Sequence, residues 1–198
     1  AALDEISFLY LVRTLLLEGS SALETVSDFV RRGNEAQLAD ADFRRELAHW
    51  IRFNPDTALE RRDGLASVVM GRPAMPQWLG ETLRGLLLRP DAQAKKDADE
   101  IRSSSAIAVI TANDDALPGW VEAGRIYQRL ALTATARGLK HAFINQPVEV
   151  AAIRPEFRRW LDVAPAEPVL VIRLGRAEAA PCSLRRPLES FLAEPAPG

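Results

Sequence analysis

The chain has 198 residues, 47% hydrophobic and 26% charged, with a formal net charge of -2 and a pI near 5.8. This balance fits one globular domain with a sizeable core and excludes a disordered polar chain. A charge so close to neutral excludes a basic footprint for nucleic acid.

The single cysteine, Cys182, rules out an internal disulfide or a multi-cysteine metal site. His49 and His141 lie too far apart in sequence to suggest a zinc or iron site. No apolar run reaches the ~18 residues of a membrane span. The most apolar stretch, Ile6 to Leu17, is interrupted by Arg13 and has neither a basic flank nor a small-residue cleavage site. It reads as a buried helix, and the chain as cytoplasmic with no membrane partner.

Within that stretch Leu9, Val12 and Leu16 fall at helical spacing until Gly19-Ser20-Ser21 breaks the run. Ser21 with Glu24 has the pattern of a capping box, opening a helix that Gly33 would end. Asp40 or Asp42 can cap a further helix with Phe43, Leu47, Trp50 and Ile51 on its apolar face. Asn54-Pro55 would end it. Gly64, Gly71, Pro73, Pro76 and Gly80 predict loop with short helical pieces from Asp63 to Pro90. The polar run from Asp91 to Ser103 predicts an exposed helix.

The second half changes character. Ser105 to Ala112 is a continuous apolar, partly β-branched run, which predicts a buried strand. A turn from Asn113 to Gly119 leads into a long helix stopped by Gly138. Phe143 to Val150 predicts a short strand entering a proline-containing loop, Arg154 to Leu161 a helix, and Pro168 to Gly175 a second strand. This order argues for an α+β sandwich with helices covering the sheet.

Three segments are candidates for chemistry. The long helix is rich in small residues (Ala123, Gly124, Ala131, Ala134, Ala136), which admit close approach by a flat ligand, a core helix or a dimer partner. Arg125 and Arg129, four apart on one face, suit either an anion site or ordinary exposed charge. In Asn145 to Val150, Pro147 fixes its own φ and favours an extended Gln146. The N–H groups of Val148 and Glu149 are then not automatically taken by a helix or ladder. With the amides of Asn145 and Gln146 they would offer directed hydrogen bonds to a planar heterocycle; a plain strand-to-helix turn is the other reading. Finally, Arg185-Arg186 is stiffened by Pro187, and arginine suits bidentate phosphate recognition; surface salt bridges are the alternative. Neither GxGxxG nor GxxxxGK[ST] occurs, so a phosphate would fall to arginines. Ser20, Ser21 and Ser103 to Ser105 have no nearby histidine and no GxSxG. Asp114-Asp115 reads as turn-forming, without a catalytic role.

Taken as a set, the small-residue helix ending Arg137-Gly138-Leu139, the Pro147-x-Glu149 loop, the strand after it and Arg185-x-Pro187-Leu188-Glu189 resemble the nitroreductase superfamily. The weaker stretches Trp50–Asn54 and Arg61–Leu65 extend the resemblance to roughly Phe43 to Leu192. Within the superfamily the chain is most similar to the second half of the two-half, FMN-binding (Acg-like) branch. The resemblance implies a single nitroreductase-like α+β domain over residues 1–198, with an antiparallel or mixed sheet flanked by helices. It implies FMN as cofactor, NAD(P)H as electron donor and a small nitroaromatic or quinone-type acceptor. Pro147 and Glu149, with Gln146, would lie beside the flavin N5. Arg185 would pair with the FMN phosphate, with Arg186 standing in for the basic residue that the family carries where this chain has Ser183. Arg125 completes the cofactor-binding set.

The sequence departs from the pattern at Val150, commonly glycine, and in lacking the family's N-terminal segment that grips the phosphate and ribityl chain. A homodimer, or a missing N-terminal half, would complete such a site. The departures keep two alternatives open: a protein that binds or sequesters FMN without significant turnover, and a structural half-domain that has lost its flavin site.

Overall fold

The computed structural model describes residues 12–69, 76, 90–113 and 115–192. In chain order the elements are β1 (Val12–Leu17), α1 (Ser20–Ala39), α2 (Ala41–Trp50), β2 (Ile51–Arg52), α3 (Pro55–Arg61), β3 (Leu65–Ala66), α4 (Pro90–Arg102), β4 (Ala106–Ala112), α5 (Leu117–Ala136), β5 (Lys140–Phe143), α6 (Gln146–Glu149), α7 (Arg154–Leu161), β6 (Glu167–Gly175) and a 3-10 turn (Leu188–Phe191). The chain divides into two compact units, residues 1–40 with 90–178, and residues 41–89 with 179–198. No helix among the described residues is long and apolar enough to cross a membrane.

The first unit is built on an antiparallel sheet of order β1-β4-β6-β5. Every residue of β4 is buried, because helices cover both faces of the sheet. Ile107 and Val109 pack with Leu23, Val26 and Val30 of α1, Ile101 of α4 and Phe157 of α7. Ala108, Ile110 and Ala112 turn the other way, onto Ala123, Ile126, Leu130 and Ala134 of α5. A strand covered on both sides favours apolar residues on both faces, so it reads as a nearly continuous run, broken here only by Thr111, rather than an alternation. The α+β class expected from the sequence is the one observed. Two of the small residues of α5, Ala123 and Ala134, bring that helix close to the sheet, whereas Gly124 faces open space. At the Ile110/Thr111 position the β4–β6 register shifts by a bulge, and Pro168, which has no N–H to give, sits where the ladder is already broken.

Several local expectations are corrected. Residues 12–17 form a strand rather than the end of a helix; residues 6–11 lie outside the described residues. Leu15 and Leu17 join one core and Leu16 the other, a period of two set by pairing with Ile107 to Ala112. Helix α1 does not end at Gly33 but runs to Ala39, and Ser21 lies inside it rather than capping it; Gly19 is the N-cap. Asn54 opens α3 instead of merely ending α2, its side chain accepting from the Asp56 N–H at 2.9 Å, with Pro55 following. Helix α2 ends at Trp50, buries none of its residues, and hands Ile51 to a strand. Helix α5 starts at Leu117, inside the expected turn. The expectation at Asp114, and most of that for Asp63 to Pro90, lies outside the described residues. Helix α4 is polar as expected but fully buries Ile101.

The second unit pairs β2 with β3 in parallel, Ile51 opposite Leu65 and Arg52 opposite Ala66. Arg52 is only 4% exposed. Its Nε and Nη2 donate to Asp63 Oδ1 at 3.0 and 2.8 Å, and its Nη1 donates to the His49 carbonyl. A buried guanidinium is tolerated only when charge and donors are both satisfied. Arg52 and Asp63 belong to the Trp50–Asn54 and Arg61–Leu65 stretches of the resemblance, so those stretches carry a structural ion pair.

Candidate functional site

The segment Asn145 to Val150 follows edge strand β5. Its first residue is held by the sheet: Asn145 Oδ1 accepts from the Val171 N–H at 2.8 Å, continuing the ladder after Ile144 N–H bonds the Val171 carbonyl. Gln146 to Glu149 then make a single helical turn, α6, rather than an open loop. The Asn145 carbonyl accepts both the Val148 N–H (2.9 Å) and the Glu149 N–H (3.0 Å), and the Gln146 carbonyl accepts the Val150 N–H (3.2 Å). The donors expected to face a heterocycle are therefore bonded within the turn. A proline at the second position of a helical turn loses nothing by lacking an N–H, which is how Pro147 fits here.

The side chains of the turn point to α1. Gln146 Nε2 donates to Asn34 Oδ1 at 3.1 Å, and Asn34 Nδ2 donates in turn to Asp97 Oδ2 at 2.6 Å. Glu149 Oε2 accepts from Gln37 Nε2 at 2.8 Å. Pro147 and Val148 are buried. Gln146 Oε1 is buried and has no hydrogen-bond partner among the described residues.

Elsewhere in the first unit, Arg125 is exposed and pairs at 3.1 Å with Glu122 one turn before it on α5. A charged network lies around α7: Arg154 donates to Asp115 Oδ2 (2.9 Å), Trp120 Nε1 donates to Asp115 Oδ1 (2.8 Å), and Arg158 pairs with Glu167 (2.7 Å). The hydrogen bond from Arg154, then that from Trp120, holds the Asp115 carboxyl below its ordinary value. Asp115 thus anchors a tryptophan and an arginine, a job that its turn-forming character in sequence did not reveal.

Ser183, Arg185 and Arg186 lie in the second unit, on an exposed segment without regular structure that leads into the 3-10 turn. The Arg186 guanidinium sits over the Phe191 ring, 4.6 Å from its centre, a cation–π contact. The salt-bridge alternative for Arg185-Arg186 is not realised among the described residues. Cys182 and Leu184, on the same segment, help line an apolar cavity of about 260 Å³ with Phe53, Pro55, Ala58 and Val68. Nothing in the sequence flagged this cavity, since its walls come from three separate stretches. Among the expected site residues, then, Gln146, Pro147 and Glu149 share one turn, Arg125 stands on α5, and Ser183, Arg185 and Arg186 belong to the other unit.

The arrangement of helices on a four-stranded antiparallel sheet is the nitroreductase-like fold. The chain matches the nitroreductase-like family protein of Bacillus cereus with a TM-score of 0.53 at 13% identity, over 98% of this chain and 82% of that one. It matches the FMN-dependent nitroreductase NfnB of Mycobacterium smegmatis, solved in complex with NADPH, with a TM-score of 0.53 at 14% identity, over 93% and 78%. A nitroreductase with bound FMN from Desulfitobacterium hafniense gives 0.50 at 12% identity, over 92% and 74%. No protein-family model and no curated protein matches the sequence.

FMN asks for a cation at its phosphate and hydrogen-bond donors at its ring. The exposed arginines at 185 and 186 suit the first requirement. The turn at 145–150 does not suit the second through Val148, Glu149 or Val150, because their N–H groups already have acceptors at hydrogen-bond distance.

Proposed function

We propose that the chain is an FMN-binding protein of nitroreductase type, working with NAD(P)H on a small acceptor in the cytoplasm. The observation that carries this reading is the fold, shared over nine-tenths or more of the chain with a nitroreductase that has FMN bound and with an FMN-dependent nitroreductase in complex with NADPH. When bound, FMN supplies the hydride chemistry, and the protein supplies hold and orientation. Arg185 is the residue to hold the phosphate, with Arg186 beside it, and a second copy of the chain is the partner that would complete the pocket.

The test is the visible spectrum of the purified protein on a sizing column, with and without added FMN. A flavin band co-eluting with a dimer is the expected result; a colourless peak that refuses FMN sinks the reading. Arg185→Ala should weaken FMN binding by about 1.5–3 kcal/mol, the scale of a charge-assisted hydrogen bond. Unchanged affinity would take Arg185 out of the site.

The internal bonding of the turn at 145–150 favours a second reading, in which FMN is held or sequestered without significant turnover. Rapid reduction of bound FMN by NADPH would count against it.

A further inference from the structure

We infer that the Asn145–Val150 turn is a structural clamp tying the sheet to helix α1 in this chain, and not a contact to a flavin ring. The inference stands apart from whether FMN is retained.

Four residues of the turn are already committed. Asn145 bonds β6 through its side chain and receives two N–H groups through its carbonyl. Val148 belongs to the core with Phe29, Ile107 and Phe157. Gln146 and Glu149 reach Asn34 and Gln37 of α1. The approach between these segments is close: a Cβ built on Gly33 would lie 2.5 Å from Gln146 Cβ and 3.1 Å from the Gln146 carbonyl carbon. That contact explains why a glycine sits inside α1 without ending it. To free the Val148 or Glu149 N–H for a ring nitrogen, the turn would have to break its bond to the Asn145 carbonyl. The buried side-chain atom of the turn that has no partner among the described residues, Gln146 Oε1, is an acceptor, whereas an oxidised flavin N5 needs a donor.

The experiment is amide hydrogen exchange of Val148 and Glu149, followed by NMR on the whole protein. In the flavin-free protein both amides should exchange at least about a hundredfold more slowly than in an unstructured peptide, as amides in locally closed structure do. Exchange within a few-fold of the unstructured rate would overturn the clamp. In Gln146→Ala the same amides should exchange at least about tenfold faster than in the parent as the tie to α1 is lost; unchanged protection would also overturn it. Where a flavin band co-elutes with the protein, the two amide signals should keep their positions on FMN addition. A shift of either would overturn the inference. Failure to retain FMN would remove the proposed function, while the flavin-free measurements would still decide the clamp.

Discussion

A methyl group at Gly33 and one at Gly138 would meet opposite problems. Gly33 is an ordinary helical residue with no room beside it, since Gln146 Cβ stands 2.5 Å from the position a Cβ would take. Gly138 has open space around it but a φ of +69°. It follows the C-cap Arg137, with Gly138 N–H bonded to the Thr135 carbonyl and Leu139 N–H to the Ala134 carbonyl, the Schellman pattern. At Gly33 the helix propensity of alanine is worth about 1 kcal/mol in favour, and overpacking costs about 1–3 kcal/mol. Because the obstacle is a Cβ and a backbone carbonyl rather than a flexible tip, the clash wins. Gly33→Ala should therefore lower the urea midpoint, and a raised midpoint would show that the α1–α6 contact yields easily. Gly138→Ala should cost about 1–2 kcal/mol through left-handed strain alone. An unchanged midpoint there would contradict the cap.

At the scale of elements, α1 is tied to its neighbours by exposed ion pairs as well as by its core face. Arg102 of α4 donates to both oxygens of Glu24 at 2.9 and 2.7 Å, and Arg32 pairs with Glu156 of α7. Both carboxyls are held below their ordinary value, first by the hydrogen bond from their arginine. Asp115, which links α7 to the start of α5 through Arg154 and Trp120, is lowered too. A depressed carboxyl contributes stability that is complete above its unfolded value and is lost as pH falls through the folded one. The window therefore opens below about pH 4–4.5, where free carboxyls begin to protonate. Asp115→Asn should flatten the acid limb of a stability-against-pH curve while costing no more than about 1 kcal/mol at neutral pH, because the carboxylate is 44% exposed. An acid limb identical to the parent's would mean that this bridge carries no stability.

For the whole molecule, the two units differ in how much apolar surface they enclose. The first covers both faces of its sheet with helices, and β4 has no exposed residue. The second has a two-residue parallel pair, and the fully buried large side chains among its described residues are Ile51 and Phe53. Local opening costs least where few apolar contacts must be broken. Native-state hydrogen exchange should thus show the amides of residues 51–66 opening well before those of Ile107 to Ile110. Equal protection in the two regions would mean that the units open as one cooperative body.

What the sequence determined by itself is the part whose physics is local or demands one residue type throughout. The apolar run at 105–112 reads as a buried strand because burial on both faces favours apolar side chains at successive positions. The run at 168–175 reads as a strand bounded by Pro168 and Gly175, and the structure buries it only in part. The end of α5 was legible because few residues other than glycine accept the αL conformation. The Arg-Arg-Pro segment and the small-residue helix were visible as patterns, and together they pointed to the fold that the structure has. Only the tertiary structure decided the rest. Leu15, Leu16 and Leu17 are a strand because β4, far along the chain, offers them a ladder; their spacing alone suits a helix equally well. Gly33 is a packing glycine rather than a stop, and Gln146 and Glu149 serve α1, because residues 112 positions apart in sequence meet there. The Gln146 side-chain amide looks free in sequence until the fold supplies Asn34 as its acceptor, and no local pattern records a partner so distant.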